Sequence, residues 1–299
     1  MIASLNEEAD FRIIYIAGYG RSGSTLLDMA LSSCDQIESV GAGSTLSLWI
    51  RKNDICSCGE RFNHCAFWGQ ILKNLLLSND KSLKWKINFF SYFESILLPV
   101  IWPGLILISN EYRLVWQSIF KSMRRESGAR WIVDSSKTTF DSIFRPVLLR
   151  GLVGSQIEIL HLQRSTKAVV NSAMKGPGSP ERVTRIVFPQ KLHILKVLLH
   201  LVSTDFLTRM LYGWLPEYRV IKYEELSVNA IDKIVGKITK SRVHETHTPY
   251  QAKHNLGGNR LRFNLVSSIN IKEGNFVQTS NTLDLLCFLA DKIRGFERI

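Results

Sequence analysis

The stretch from residue 12 to residue 33, RIIYIAGYGRSGSTLLDMALSS, constrains this chain more than any other. It is apolar and rich in β-branched residues over 12–17, turns through Gly18, Gly20 and Gly23, and leaves with apolar residues at helical spacing. Glycines in such a turn let backbone N–H groups point inward, and the helix that follows adds the positive end of its dipole. The product is a cradle for a tetrahedral anion. A strand that feeds a helix in this way belongs to a βα unit, and βα units assemble into parallel sheets.

The rest of the chain repeats that pattern. Short apolar runs at 131–134 (WIVD), 157–162 (IEILHL) and 219–222 (RVIK) read as further buried parallel strands, each followed by polar residues or glycine and then a helix-like pattern. Leucines at helical spacing predict one long helix over 191–212, and 228–240 and 281–294 also read as helices. No Pro/Gly/Ser-rich linker divides the 299 residues, and 45% hydrophobic content suffices for one large core. The expectation is a single α/β domain over 1–299: a three-layer parallel sheet flanked by helices, of the P-loop NTPase-like kind.

Gly18-Tyr19-Gly20-Arg21-Ser22-Gly23-Ser24-Thr25 keeps the spacing of the nucleotide P-loop, G-x-x-x-x-G-K-[ST], with Ser24 in place of the lysine. In NTPases that lysine reaches the highly charged β- and γ-phosphates beside Mg²⁺. Here the only cation in the loop is Arg21, which suits a smaller terminal charge such as a sulfuryl group, needing no metal. A kinase or NTPase is the competing reading, with Asp134 as the carboxylate that would hold Mg²⁺.

The loop GYGRSGSTLL resembles the 5′-phosphosulfate loop of the sulfotransferases, which take 3′-phosphoadenosine 5′-phosphosulfate (PAPS) as donor. IEILHLQRSTKAVVNSAMKG, residues 157–176, resembles the family's 3′-phosphate motif. The resemblance covers residues 12 to about 263. It implies that Gly20, Arg21, Ser22, Gly23, Ser24 and Thr25 hold the 5′ end of the donor and that Arg164 and Ser172 grip its 3′-phosphate. An Arg suits that role because its planar fork binds two phosphate oxygens at once. WIVDSSKTTF (131–140) is similar to the segment that delivers a lysine to the transferring group. By that resemblance Lys137, with Arg21, is catalytic and offsets charge on the departing oxygen. HNLGGNRLRF (254–263) resembles a C-terminal loop over the nucleotide, with His254, Asn259 and Arg262 as contacts, and YRVIKYEELSVNA (218–230) resembles a structural stretch of the family.

One element of the family pattern is absent. Relatives place a glutamate base after the first helix in a Gly-Glu context, whereas IESVGAGSTLSLW (37–49) has Ala42 or Ser44 there, and Glu38 precedes the turn. His161 or His193 as base, an amine acceptor, or a PAPS-binding homologue with weak or no catalysis are the alternatives. The acceptor class expected is a glycan, a lipid-linked molecule or another small molecule, received by a helical insertion or lid over 70–130.

Net charge is +12, from 38 Lys and Arg against 26 Asp and Glu, which fits a polyanionic ligand or an anionic surface. No nucleic-acid motif accompanies the charge, so no nucleic-acid partner is expected. The apolar stretch 87–109 is interrupted by Glu94, Pro99 and Pro103, and reads as a core or lid element, with peripheral membrane contact as the second reading. MIASLNEEADFR lacks the basic and apolar pattern of a secretory signal, which points to the cytoplasm, membrane-associated under that second reading, and to reduced thiols among the five cysteines. Within CSCGERFNHCAFW (56–68), Cys56, Cys58, Cys65 and His64 match no common zinc spacing. The expectation there is a packed thiol-rich loop, able to form a disulfide between Cys56 or Cys58 and Cys65, with no metal.

Overall fold

Each apolar run finds a strand, but the one at 219–222, expected to be buried, lies at the sheet edge and is half-exposed. The computed structural model describes residues 11–77, 110–139, 142–153, 156–174, 190–240, 249–267 and 281–296. Strand β1 (Arg12–Ala17) leads through the glycine loop into helix α1 (Ser24–Ser32), followed by β2 (Ile37–Gly41), α2 (Leu46–Lys52), α3 (Ala66–Leu77), α4 (Asn110–Ser127) and β3 (Trp131–Asp134). Then come α5 (Arg145–Val153), β4 (Ile157–Gln163), α6 (Thr166–Met174), α7 (Gln190–Tyr212), β5 (Tyr218–Lys222), α8 (Val228–Thr239) and α9 (Asn281–Ile293).

The strands form one sheet in the order β2-β3-β1-β4-β5, and every pairing is parallel. β1 sits at its centre, with Ile13 beside Ile132 on one side and Ile157 on the other. Side chains alternate across a strand. Ile13, Tyr15 and Ala17 therefore enter a core with Trp68, Trp116 and Phe120 on one face. Ile14 and Ile16 meet Leu27, Leu31, Ile231 and Val235 on the other. A third cluster, of Val169, Val170, Leu198, Leu201 and Cys287, joins α6, α7 and α9. The three-layer parallel architecture is as the sequence predicts.

β2 is the strand that the hydrophobic pattern does not reveal. Glu38 and Ser39 interrupt its apolar run, yet both are buried, because each answers a backbone donor: Ser39 N–H donates to Glu38 Oε1 at 3.0 Å and Gly41 N–H to Ser39 Oγ at 2.8 Å. A bulge between Ser39 and Gly41 accompanies those bonds.

The described ends of the 70–130 region are helical, in α3 and α4, which pack on each other. The 87–109 stretch lies outside the described residues. Among the described residues, no helix is long and apolar enough to cross a membrane.

Candidate functional site

The cradle forms at the C-terminal edge of β1. Gly18 (φ 118°), Arg21 (φ 72°) and Gly23 (φ 95°) all take the left-handed side of backbone space, so the loop coils tightly. A Cβ on Gly18 would lie 2.5 Å from Leu162 O, and one on Gly23 would overlap the Tyr223 ring. Helix α8 is capped by Ser227 Oγ, which accepts from Ala230 N–H at 3.2 Å. Helix α1 begins at Gly23 with no side-chain cap, which leaves its positive end facing the loop. Ser22 Oγ is buried there with no hydrogen-bond partner among the described residues. A buried hydroxyl without a partner is costly unless something arrives to meet it.

The neighbouring strand ends close the site. Thr138 Oγ1 accepts from Gly18 N–H at 2.9 Å and Thr138 N–H donates to Gly18 O at 3.2 Å, fixing the segment after β3 to the loop. Lys137, one residue earlier, is half-buried in a left-handed conformation (φ 70°). Tyr15 Oη and Ser142 Oγ both donate to its carbonyl and hold it there. Burial pushes the Lys137 ammonium below its ordinary pKa, the Arg21 charge adds to this, and Asp28 opposes it. Two cations of the expected set thus sit close enough to feel each other.

Arg164 leaves the end of β4 and lies across the loop. Its Nη1 donates to Arg21 O at 3.2 Å and its guanidinium stacks on the Tyr223 ring at 4.3 Å. Behind it is a buried polar network that sequence reasoning missed. Arg294 Nη2 donates to Arg164 O at 3.0 Å, Arg294 pairs with Asp205 and Asp291, and Asp291 accepts from Thr166 N–H at 2.9 Å. Burial alone would raise the Asp205 pKa, but His161 and Arg294 hold it below its ordinary value. Asp205, the single acidic residue of the leucine-rich helix α7, was the signal available in the sequence. Glu224 Oε1 also accepts from Ser165 N–H at 2.9 Å, anchoring the entry to α6. Ser172 is half-buried on α6, roughly 9 Å along the axis from Thr166 at 1.5 Å per residue.

The C-terminal loop reaches the same place. Asn259 N–H donates to Thr25 Oγ1 at 3.2 Å, and Leu256 is hydrogen-bonded to Val40 and Ala42 of the β2 end. Arg262 braces this loop from within: it donates to Gly257 O at 2.6 Å and Ile55 O at 3.3 Å, and stacks on Trp49. His254 turns the other way, towards Cys65 and Cys56, so its expected place among the nucleotide contacts is corrected.

Two further expectations change. His161 is no reachable base, since it is buried between Asp205 and the Tyr218 hydroxyl. Glu38 is a buried strand residue whose pKa is raised by that burial. Where the resemblance led to an expected Gly-Glu, Ser44 N–H donates to Ser136 Oγ at 2.9 Å, and a Cβ on Gly43 would sit 2.7 Å from both Arg145 Nη2 and Asp134 Oδ2. Asp134 itself is fully engaged. Arg145 holds Oδ2 with two nitrogens, at 2.9 and 2.8 Å, and Ser136 donates to Oδ1 through N–H and hydroxyl. Its oxygens are taken up by protein donors, which weakens the reading that needs them for Mg²⁺.

No protein family's sequence profile matches the chain, and no curated protein matches it by sequence. Among solved structures, it is similar to a sulfotransferase domain from the curacin biosynthetic pathway, with a TM-score of 0.55 at 15% identity, covering 98% of this chain and 100% of that one. It is also similar to sulfotransferase STF9 from Mycobacterium avium (TM-score 0.48, 11% identity, 79% of this chain and 66% of that one). A third is the sulfotransferase domain of an olefin synthase from Synechococcus PCC 7002 (0.43, 15%, 96% and 88%). The curacin likeness shows that the chain has the fold of a sulfotransferase domain.

Proposed function

We propose that this chain is a sulfotransferase that moves a sulfuryl group from PAPS to a hydroxyl or amine acceptor. The observation that carries the reading is the joining of two anion-binding features. The lysine-free loop, whose buried Ser22 hydroxyl has no partner among the described residues, and the Arg164 guanidinium lie within one hydrogen bond of each other. A nucleotide with an anionic group at each end of its ribose has a partner for both.

The loop from Gly20 to Thr25 and the uncapped start of α1 would take the 5′ phosphosulfate through backbone N–H groups and the Ser22, Ser24 and Thr25 hydroxyls. Arg164 would take the 3′-phosphate, with Ser172 further along α6. Asn259 sits against Thr25 and would close over the nucleotide, while Arg262 keeps that loop in shape. Arg21 and Lys137 would offset the charge that grows on the bridging oxygen as the S–O bond breaks. Positioning and fixed electrostatics then supply most of the rate. The acceptor side falls to the 70–130 region, whose apolar and aromatic content suits a glycan or lipid-linked molecule. Peripheral membrane contact would fall to the 87–109 stretch, on its sequence alone.

The test is a comparison of ligands. 3′-Phosphoadenosine 5′-phosphate should raise the melting temperature and ATP with Mg²⁺ should not. Arg164→Ala should weaken the former by roughly 10- to 100-fold, the worth of one charge-assisted contact. Stabilisation by ATP–Mg²⁺ alone would overturn the assignment in favour of a kinase or NTPase. Binding without ³⁵S transfer to any acceptor would leave a non-catalytic homologue.

A further inference from the structure

We propose that Cys56, Cys58, Cys65 and His254 form a tetrahedral zinc site that fastens the C-terminal loop to the body of the domain. The four ligand atoms all lie within 4.8 Å of one another. Cys58 Sγ to Cys65 Sγ is 3.6 Å, Cys65 Sγ to Cys56 Sγ is 3.7 Å, and His254 Nδ1 lies 3.3 Å from Cys65 Sγ and 4.0 Å from Cys56 Sγ. A zinc ion with Zn–S of about 2.3 Å and Zn–N of about 2.0 Å demands tetrahedral edges of about 3.8 Å between sulfurs and about 3.5 Å from sulfur to nitrogen. These four edges lie within about 0.5 Å of that frame, and the other two are no longer than 4.8 Å. A disulfide needs about 2.05 Å and joins only two of the three sulfurs.

The surroundings are built to hold those atoms. Cys56 N–H donates to Glu60 O at 2.8 Å and Gly59 N–H to Cys56 O at 2.9 Å, and Gly59 is left-handed at φ 92°, so the chain folds back sharply between the cysteines. The His254 ring stacks on Phe67 at 5.0 Å with a 13° interplanar angle. Trp68 Nε1–H donates to His254 O at 2.6 Å, and Asn255 N–H donates to Ser57 Oγ at 2.8 Å. These contacts fix the imidazole with Nδ1 towards the sulfurs. Cys56 and Cys65 are buried while Cys58 is exposed, which gives the metal an entry path. Three thiolates and one imidazole select zinc among the common divalent ions. The thiol protons leave as the metal binds.

The sequence pointed to His64 as the fourth ligand and away from a metal. His64 is exposed and is not in the group, and the true partner lies 189 residues from Cys65. The consequence for the domain is mechanical. The segment after His254 runs to Asn259, which bonds to Thr25 of the anion loop. Metal at the cysteines would therefore tether that loop, whatever the chain transfers.

The experiment uses the full chain, purified without metal-affinity steps. Elemental analysis should find about one zinc per chain. Cobalt exchange should give the intense visible d–d bands of a tetrahedral site and a sulfur-to-cobalt charge-transfer band. Cys58→Ser and His254→Ala should lose at least nine-tenths of the metal, with His64→Ala retaining it. After denaturation with chelator, five thiols should react. Metal-free native protein with five free thiols, or protein with three thiols and one disulfide, overturns the proposal. Equal loss in His64→Ala overturns the ligand set. Should a cysteine variant fail to fold, zinc content and the cobalt spectrum of the native chain decide the matter alone.

Discussion

Asp28→Asn should make this protein more stable, and only above a particular pH. Asp28 sits on α1, one turn past Ser24, and is 1% exposed. Burial pushes its carboxyl from an ordinary 3.8 to about 7. Hydrogen bonds from Ser135, at 2.6 Å, and Ser39 oppose the shift, the Asp134 charge adds to it, and Asn255 opposes it weakly. In the unfolded chain the proton leaves near 3.8, and in the folded chain only near 7, so folding takes up a proton between those limits. Stability is therefore fully present below the lower value and falls as pH rises towards the upper one. At about 1.36 kcal/mol per pH unit, with the slope halved where the folded carboxyl is half-ionised, the loss is about 2.3 kcal/mol between pH 5 and pH 7 and about 2.6 kcal/mol by pH 8. Asn is neutral throughout, nearly isosteric, and keeps an oxygen to accept from Ser135. Urea unfolding of both proteins at several pH values from 5 to 8 measures the difference. The variant's advantage over the parent should grow by roughly 2–3 kcal/mol from pH 5 to pH 8. An equal stability difference at both ends would refute the reasoning, because it would mean that Asp28 is ionised in the folded state at pH 5.

Two other substitutions test the loop and its support. Gly23→Ala forces a methyl group into the Tyr223 ring at φ 95°, and should cost about 1 kcal/mol in backbone strain alone, with the overlap adding to it; a second change, Tyr223→Ala, should recover part of the lost melting temperature but not the strain. Arg145→Met removes the partner of the buried Asp134 carboxylate and the cation over Trp116 at 4.1 Å, and should cost about 3–5 kcal/mol in urea unfolding. Pairing it with Asp134→Asn should restore much of that loss, and a simple sum of the two single effects would show that the ion pair is not the source.

Local order and long-range order divide this protein cleanly. The strand pattern of 12–17, 131–134 and 157–162, the glycine loop and the long helix near 190–212 are all legible, because side-chain periodicity and glycine placement are set by neighbouring residues. β2 escapes that kind of reading since its polar residues are satisfied by their own backbone, leaving no apolar alternation. The loop residues and Arg164 stand out in sequence as separate features. Their meeting across Arg21 O depends on β1 and β4 lying side by side, a pairing that only the folded sheet creates. The same holds for the cysteine cluster, where His64 is near in sequence and His254 near in space. Residue type and local spacing thus determined the strand–loop–helix units and the kinds of chemistry available. Tertiary packing decided which carboxylates are neutralised, which histidine faces the thiols and which arginine lies over the loop. The physical reason is that charge, burial and ligand geometry act through distances of a few ångströms, and over more than a hundred residues of chain only the fold sets such distances.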